Sequence, residues 1–314
     1  MNPLSSFFGA AVASRNALYD RALLPIRCLQ GPVISVGNLC VGGSGKTPFV
    51  LLLGELLKAR GVKFDILSRG YGRQSREARV VDPAGSAREF GDEPLLLARR
   101  LGVPVVVAGE RYDGGVLAEK NFGAQLHLLD DGFQHRALSR DFDIVLVTPD
   151  DARDRLLPSG RLREPLSALR RADAVVLTSG ANPESFPLDG KLVWRARRGI
   201  APRDIPERPV VFCGIAKPRN FLLQLRAAGI EPAAEAFFRD HHAYTARDID
   251  DLVELGERSE AGGFVTTEKD AINLGERVSA LQRLAVVPVT MELLDSAHAL
   301  DTMLHRVEER AQPA

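Results

Sequence analysis

The sequence predicts an α/β fold in which a mostly parallel sheet is flanked by helices. Three observations predict it. Short apolar, β-branched runs recur along the chain; runs with helical spacing lie between several of them; and a glycine-rich loop joins the first strand to the helix that follows.

In chain order, residues 1–30 read as an amphipathic helix. Leu4, Phe7, Phe8, Ala11, Val12, Leu18 and Leu23 share a broad face, and Ser14, Arg15, Asn16, Asp20 and Arg21 are polar. Such a helix either covers a core or lies in a membrane interface. Residues 32–36 form a buried strand ending at Gly37, and 48–59 a helix whose Phe49, Val50, Leu52, Leu53, Leu56 and Leu57 suit a buried face. Further strands are expected at 63–68, 103–108, 126–129, 143–147 and 174–178. Residues 179–190 turn to Gly, Asn, Pro and Ser, a loop signal. A lone strand is expected at 191–198. A second α/β series then begins at 209–213, continues through a helix at 220–228 and a strand at 263–267, and ends in an extended run at 284–293. Residues 296–310 form a closing amphipathic helix. The boundary between the two series falls near 190–205.

Composition narrows the function. The 314 residues are 45% hydrophobic and 26% charged, with Lys plus Arg equal to Asp plus Glu at 41 each. That balance speaks against a general nucleic-acid binder. Cys28, Cys40 and Cys213 are far apart, have no metal-ligand spacing, and read as reduced intracellular thiols. No apolar run is long enough to span a bilayer, and the N-terminus lacks a signal-peptide pattern, so a cytoplasmic location is expected.

The strongest motif is Gly42-Gly43-Ser44-Gly45-Lys46-Thr47, set between a strand and a helix. That context identifies a phosphate-binding loop. Glycines let successive N–H groups point at phosphate oxygens, and the new helix adds its positive end. Lys46 can reach the β- and γ-phosphates, and Thr47 can offer its hydroxyl to Mg²⁺. Cys40 stands where the usual pattern has its first glycine.

Three clusters accompany the loop. They are Ser68-Arg69-Gly70-Tyr71-Gly72 with Gly91-Asp92-Glu93-Pro94; Asp130-Asp131-Gly132-Phe133-Gln134-His135; and Pro158-Ser159-Gly160-Arg161-Leu162-Arg163-Glu164-Pro165. Taken singly, Asp92 also suits a helix cap, Asp130 and Asp131 a solvated turn, and Glu164 an arginine partner. Beside a phosphate loop, the acids suit Mg²⁺ binding and activation of a hydroxyl. No Asn-Lys-x-Asp guanine motif is present, which speaks against a GTPase, and a mere ATP sensor would not need these acids together.

With Phe238-Arg239-Asp240-His241-His242-Ala243-Tyr244 and Thr266-Thr267-Glu268-Lys269-Asp270-Ala271, these strings closely resemble the tetraacyldisaccharide 4′-kinase family of lipid A synthesis. The resemblance runs in order from about residue 33 to 275. It implies a P-loop NTPase-like domain (31–190) and a smaller α/β domain (205–283), joined by a two-stranded linker that we expect at 191–200 and 284–293, with the helix 296–310 returning to the first domain. It implies ATP, Mg²⁺ and an acylated disaccharide 1-phosphate phosphorylated on its 4′-hydroxyl, at the cytoplasmic face of the bacterial inner membrane. No obligatory protein partner and no nucleic acid are expected. A multi-acylated substrate also favours the membrane-associating alternative for residues 1–30.

The roles expected on that basis are these. Lys46 and the loop residues Gly42 to Thr47 hold the triphosphate. Thr47, Asp131 and Glu164 organise Mg²⁺. Asp92 is the base, assisted by His241 rather than His242. Arg69, Arg73, Arg161 and Arg163 are candidates for phosphate contacts. Glu93, Asp130, Gln134 and His135 are further candidates within the same motifs, and Glu268, Lys269 and Asp270 are expected at the nucleotide's base or sugar.

Overall fold

A computed structural model describes residues 3–311 of the chain. Helix α1 (Pro3–Asp20) comes first, followed by β1 (Val33–Asn38), α2 (Lys46–Ala59), β2 (Phe64–Ser68), β3 (Arg79–Val80) and α3 (Ala87–Phe90). Next come α4 (Asp92–Leu101), β4 (Val105–Val107), α5 (Arg111–Phe122), β5 (Leu126–Asp130), β6 (Phe142–Val147), β7 (Ala174–Thr178) and β8 (Leu192–Ile200). A second run holds β9 (Val210–Cys213), α6 (Pro218–Ala227), β10 (Ala234–Phe237), α7 (Ala246–Arg258), β11 (Phe264–Thr267), α8 (Glu268–Leu274) and β12 (Leu284–Val287). The chain closes with β13 (Val289–Leu293) and α9 (Ser296–Ala311).

Two sheets result. The larger has the order β13-β8-β7-β6-β1-β5-β2-β4-β3, and the smaller β10-β9-β11-β12. Every pairing is parallel except at the two edges of the large sheet, β13 on β8 and β3 on β4. The central strands β1, β2, β5 and β6 are buried at every position because both faces are covered. In β6, Ile144 and Leu146 face one core while Val145 and Val147 face the other. Helices α2, α4 and α9 close the first face through Phe49, Leu53, Leu95, Leu300 and Met303. Ala118 of α5 packs on the opposite side with Val33, Leu67 and Leu129. Met303 is fully buried, so its truncation to Ala would cost ~2–5 kcal/mol and α9 belongs to the main core.

Two segments differ from expectation. The run 284–293 is not one strand. Residues up to Val287 continue the small sheet beside β11, and Val289 onward pairs antiparallel with β8. Pro288 lies at the switch, and without an N–H it extends neither ladder. The N-terminal helix also ends early, at Asp20 rather than 30. Ala22 adopts φ 55°, and Leu23 N–H donates to Leu18 O at 2.9 Å while Ala22 N–H donates to Tyr19 O at 3.0 Å. This paired closure stops the helix, and the chain then runs to a bridge between Arg27 and Leu138.

Candidate active site

Asn38, the last residue of β1, organises the phosphate loop from below. It is fully buried, its Nδ2 donates to Ser44 Oγ at 2.7 Å, and its Oδ1 accepts from Lys46 Nζ at 3.1 Å and from Arg163. The left-handed turns fall on Gly42, Gly43 and Gly45, at φ 78°, 46° and 90°. Cys40 instead sits in a short antiparallel bridge to Leu162, with Val41 N–H on Arg161 O and Arg163 N–H on Leu39 O. The 161–163 segment therefore braces the stretch where the usual motif has a glycine, and a side chain fits there.

The acids follow β5. Asp130 is buried and accepts from Ser68 Oγ at 3.0 Å; burial, together with the Glu93 and Asp131 charges, raises it to about 7. Asp131, on left-handed backbone at φ 50°, receives both Arg163 nitrogens at 3.0 and 2.8 Å and lies 3.5 Å from Lys46 Nζ. Burial pushes its carboxyl up, but Lys46 and Arg163 outweigh that and hold it well below the usual carboxylate range.

Asp92 opens α4 directly after Gly91, whose φ of 90° and contact with the Tyr71 carbonyl leave little room for a Cβ. The carboxylate is buried but well supplied with donors. His241 Nδ1 lies 2.8 Å from Oδ2 and 3.0 Å from Oδ1, Asn273 Nδ2 donates to Oδ2 at 2.9 Å, and Glu93 N–H donates to Oδ1 at 2.8 Å. Burial raises the Asp92 pKa; His241, Lys269 and Asn273 more than reverse this and lower it. Burial lowers His241, yet the Asp92 bond prevails and its pKa lies above the ordinary histidine value. His241 comes from the small sheet, on left-handed backbone at φ 58°, with its N–H on Gly214 O. Asp270 secures that turn. It accepts from Gly214 N–H at 2.7 Å and from Tyr244 OH at 2.8 Å.

A cavity of about 580 Å³ lies between the sheets, within the range of small-molecule sites (~300–1,000 Å³). Its walls include the phosphate loop, Arg69, Asp92, Glu93, Asp130, Asp131, Arg163, His241 and Lys269. Thr47 lines it at the start of α2.

Several expected residues lie elsewhere. Glu164 is fully buried and binds Arg171 at 3.0 and 3.1 Å and Asn16 Nδ2 at 2.6 Å, away from the cavity walls; the arginine-partner alternative describes it. Arg161 pairs with Asp154 at 2.9 Å, and Arg73 packs against the Gly70 turn. Gln134 supports Asn38 O from its Nε2 at 2.9 Å. His135 is driven down to about 4 by burial and by surrounding arginines, Arg111 first, and stays uncharged at neutral pH. His242 stacks on Phe238 at 4.7 Å and meets Asp248 at 3.1 Å, a packing role within the smaller unit. Lys269, expected at the nucleotide's base or sugar, lines the cavity and there faces His241, Asp240 and Glu93. Asn273 and Asn38 are contributors to which sequence reasoning did not assign a role; Asp270, expected at the nucleotide's base or sugar, braces the His241 turn, and the Thr267 cap of α8 was the local signal near Asn273.

The family model for tetraacyldisaccharide-1-P 4′-kinase (LpxK) matches residues 1–308. The chain belongs to the tetraacyldisaccharide 4′-kinase family. The tetraacyldisaccharide 4′-kinase of Koribacter versatilis is 53% identical over 323 residues, covering 99% of each chain. That of Anaeromyxobacter dehalogenans is 42% identical over 329 residues, covering 95% of this chain and 87% of its own. Among solved structures, LpxK from Aquifex aeolicus in complex with ATP is similar with a TM-score of 0.79 and 36% identity over 97% of both chains. The kinase-family fold thus extends through both sheets and the returning strand β13.

Proposed function

We propose that this enzyme, a kinase of lipid A biosynthesis, binds ATP through residues 42–47 and passes its γ-phosphoryl group to the 4′-hydroxyl of a tetraacyldisaccharide 1-phosphate, with Asp92 as base. The observation that carries the assignment of the base is the Asp92–His241 contact over the phosphate-loop cavity. A sugar hydroxyl is a poor nucleophile. As its oxygen bonds to the γ-phosphorus and the bond to the β-phosphate oxygen breaks, the proton passes to Asp92 and ADP leaves. Lys46 offsets charge on the transferring group, and Asn38 aims it. Arg69 and Arg163 face the same space and suit phosphate oxygens.

The acids suit a magnesium ion brought by the nucleotide. Crowding by Glu93 and Asp131 is among the causes that raise Asp130, a sign of surplus negative charge at the wall. Among the described residues no three His, Cys, Asp or Glu side chains form a metal-binding cluster. Nucleotide-borne Mg²⁺ needs only one or two protein ligands. Thr47 and Asp131 would hold it, and its charge would screen the phosphates.

The acceptor is a lipid, so the enzyme must work at a bilayer. Among the described residues no helix is long and apolar enough to cross one. Helix α1 turns Phe8 and Val12 towards the protein and leaves Phe7 76% and Leu4 64% exposed, with Leu18, Leu23 and Ile26 outside as well. That ridge suits peripheral attachment to the cytoplasmic face of the inner membrane. The test is transfer of label from γ-labelled ATP to the acylated disaccharide 1-phosphate by the purified chain. Labelled glycolipid is expected, and its absence with ATP and Mg²⁺ in excess overturns the assignment.

A further inference from the structure

The Nε2 face of His241 is occupied. Lys269 Nζ stands 3.1 Å from it, while Nδ1 faces Asp92. An ammonium group has only donors, so Nε2 must present its lone pair and Nδ1 must carry the hydrogen. Lys269 is itself held by Asp240 at 2.9 Å, with Glu93 at 3.6 Å and Asp92 at 3.9 Å. One turn on along α8, Asn273 grips Asp92 Oδ2, so a single helix face fixes both members of the pair. The groups facing the imidazole are therefore Asp92 and Glu93 from α4, Lys269 from α8, Asp240 beside it in the chain, and the Tyr71 ring at 5.1 Å.

We propose that Lys269 is a positioning residue that locks His241 in its Nδ1–H tautomer, so that Asp92, and never His241, receives the acceptor hydroxyl's proton. The assignment rests on Asp92 being the base of the proposed transfer. Protonating His241 at Nε2 would set N–H against the ammonium and expel Lys269. The imidazolium would then neutralise Asp92, so activity falls on the acid side as this proton binds. Taking away the Lys269 charge favours the imidazolium and moves that fall to higher pH.

The experiment compares wild type, Lys269→Met, Lys269→Arg and Asp92→Ala by pH–rate profiles, and reads the His241 ring nitrogens by ¹⁵N NMR. In the wild type, Nε2 is expected to be unprotonated at pH 8. Lys269→Met is expected to lower kcat roughly tenfold at neutral pH and to shift the acid limb up by about one unit, with ATP KM little changed. Lys269→Arg should restore the limb. A protonated Nε2 in wild type, or a Met variant with an unmoved limb, overturns the role of Lys269. Should the Met variant not fold, the wild-type tautomer and the Arg variant still decide. Retained turnover in Asp92→Ala overturns the base assignment instead.

Discussion

Asn16 and Glu164 lie 148 residues apart in the chain, yet Asn16 Nδ2 donates to Glu164 Oε2 at 2.6 Å. Asn16 is the one buried residue of α1. Its carboxylate partner also closes on Arg171, whose guanidinium lies 4.4 Å over the Phe133 ring. The exposed helix is thus pinned by a buried polar contact to the core beside the phosphate loop, with Ser5, Arg15 and Asp20 adding polar contacts nearer the surface.

Glu164→Ala strands the Arg171 charge and should destabilise the protein by about 3–5 kcal/mol in chemical denaturation. Asn16→Ala leaves the ion pair closed and should cost only about 1–2 kcal/mol. Glu164→Gln should alter stability more than the Mg²⁺ requirement; the reverse result would return Glu164 to the metal. Burial raises its pKa, but Arg171 and Asn16 lower it on balance. Its contribution is therefore complete above the unfolded value (about 4.3) and lost as pH falls through the lower folded value. Stability of the Gln variant should lack that acid-dependent loss.

Asp92→Ala should cut kcat by more than ~100-fold, in line with acid–base contributions, while ATP still binds. Single-turnover transfer of γ-label and equilibrium ATP binding on the same preparation separate the two effects.

Lys46→Ala removes the cation that bridges Asn38 and Asp131. A loss of roughly 100- to 1,000-fold in kcat is expected, as for other groups aimed at developing charge. Labelled product formed at the wild-type rate would contradict a phosphate-gripping role.

Phe7→Asp with Leu18→Asp places charge on the outer ridge of α1. Both sites are exposed, so stability should change by no more than about 0.5 kcal/mol per site. Co-sedimentation with anionic vesicles should fall, along with activity on vesicle-borne acceptor. Undiminished vesicle binding would detach the ridge from the membrane.

The sequence made the phosphate loop legible because its chemistry is contiguous: strand, glycines, Lys46 and helix lie within a few residues. The order of central strands' apolar runs was equally local. Strands β3 and β10 escaped notice because one is two residues long and the other, Ala-Glu-Ala-Phe, is half polar. The pairing of Glu164 was half legible: Arg171 lies seven residues on, whereas Asn16 sits in a distant helix. Lys269 could not be placed beside His241 by pattern, since their meeting depends on how α8 and the turn after β10 pack. The capping box of Thr245 and Asp248 marked the start of α7 and could have been found.

The outermost strand β13 and the covering helix α9 both come from the end of the chain, yet both complete the large sheet. During synthesis the whole of the smaller sheet emerges while the first core still lacks its edge and part of its roof. At ~5–20 residues per second, that apolar face waits several seconds or more for its cover. The imidazole-bearing half can therefore finish folding before the triphosphate-gripping half does, and a nascent chain stalled in this window is a natural client for chaperones.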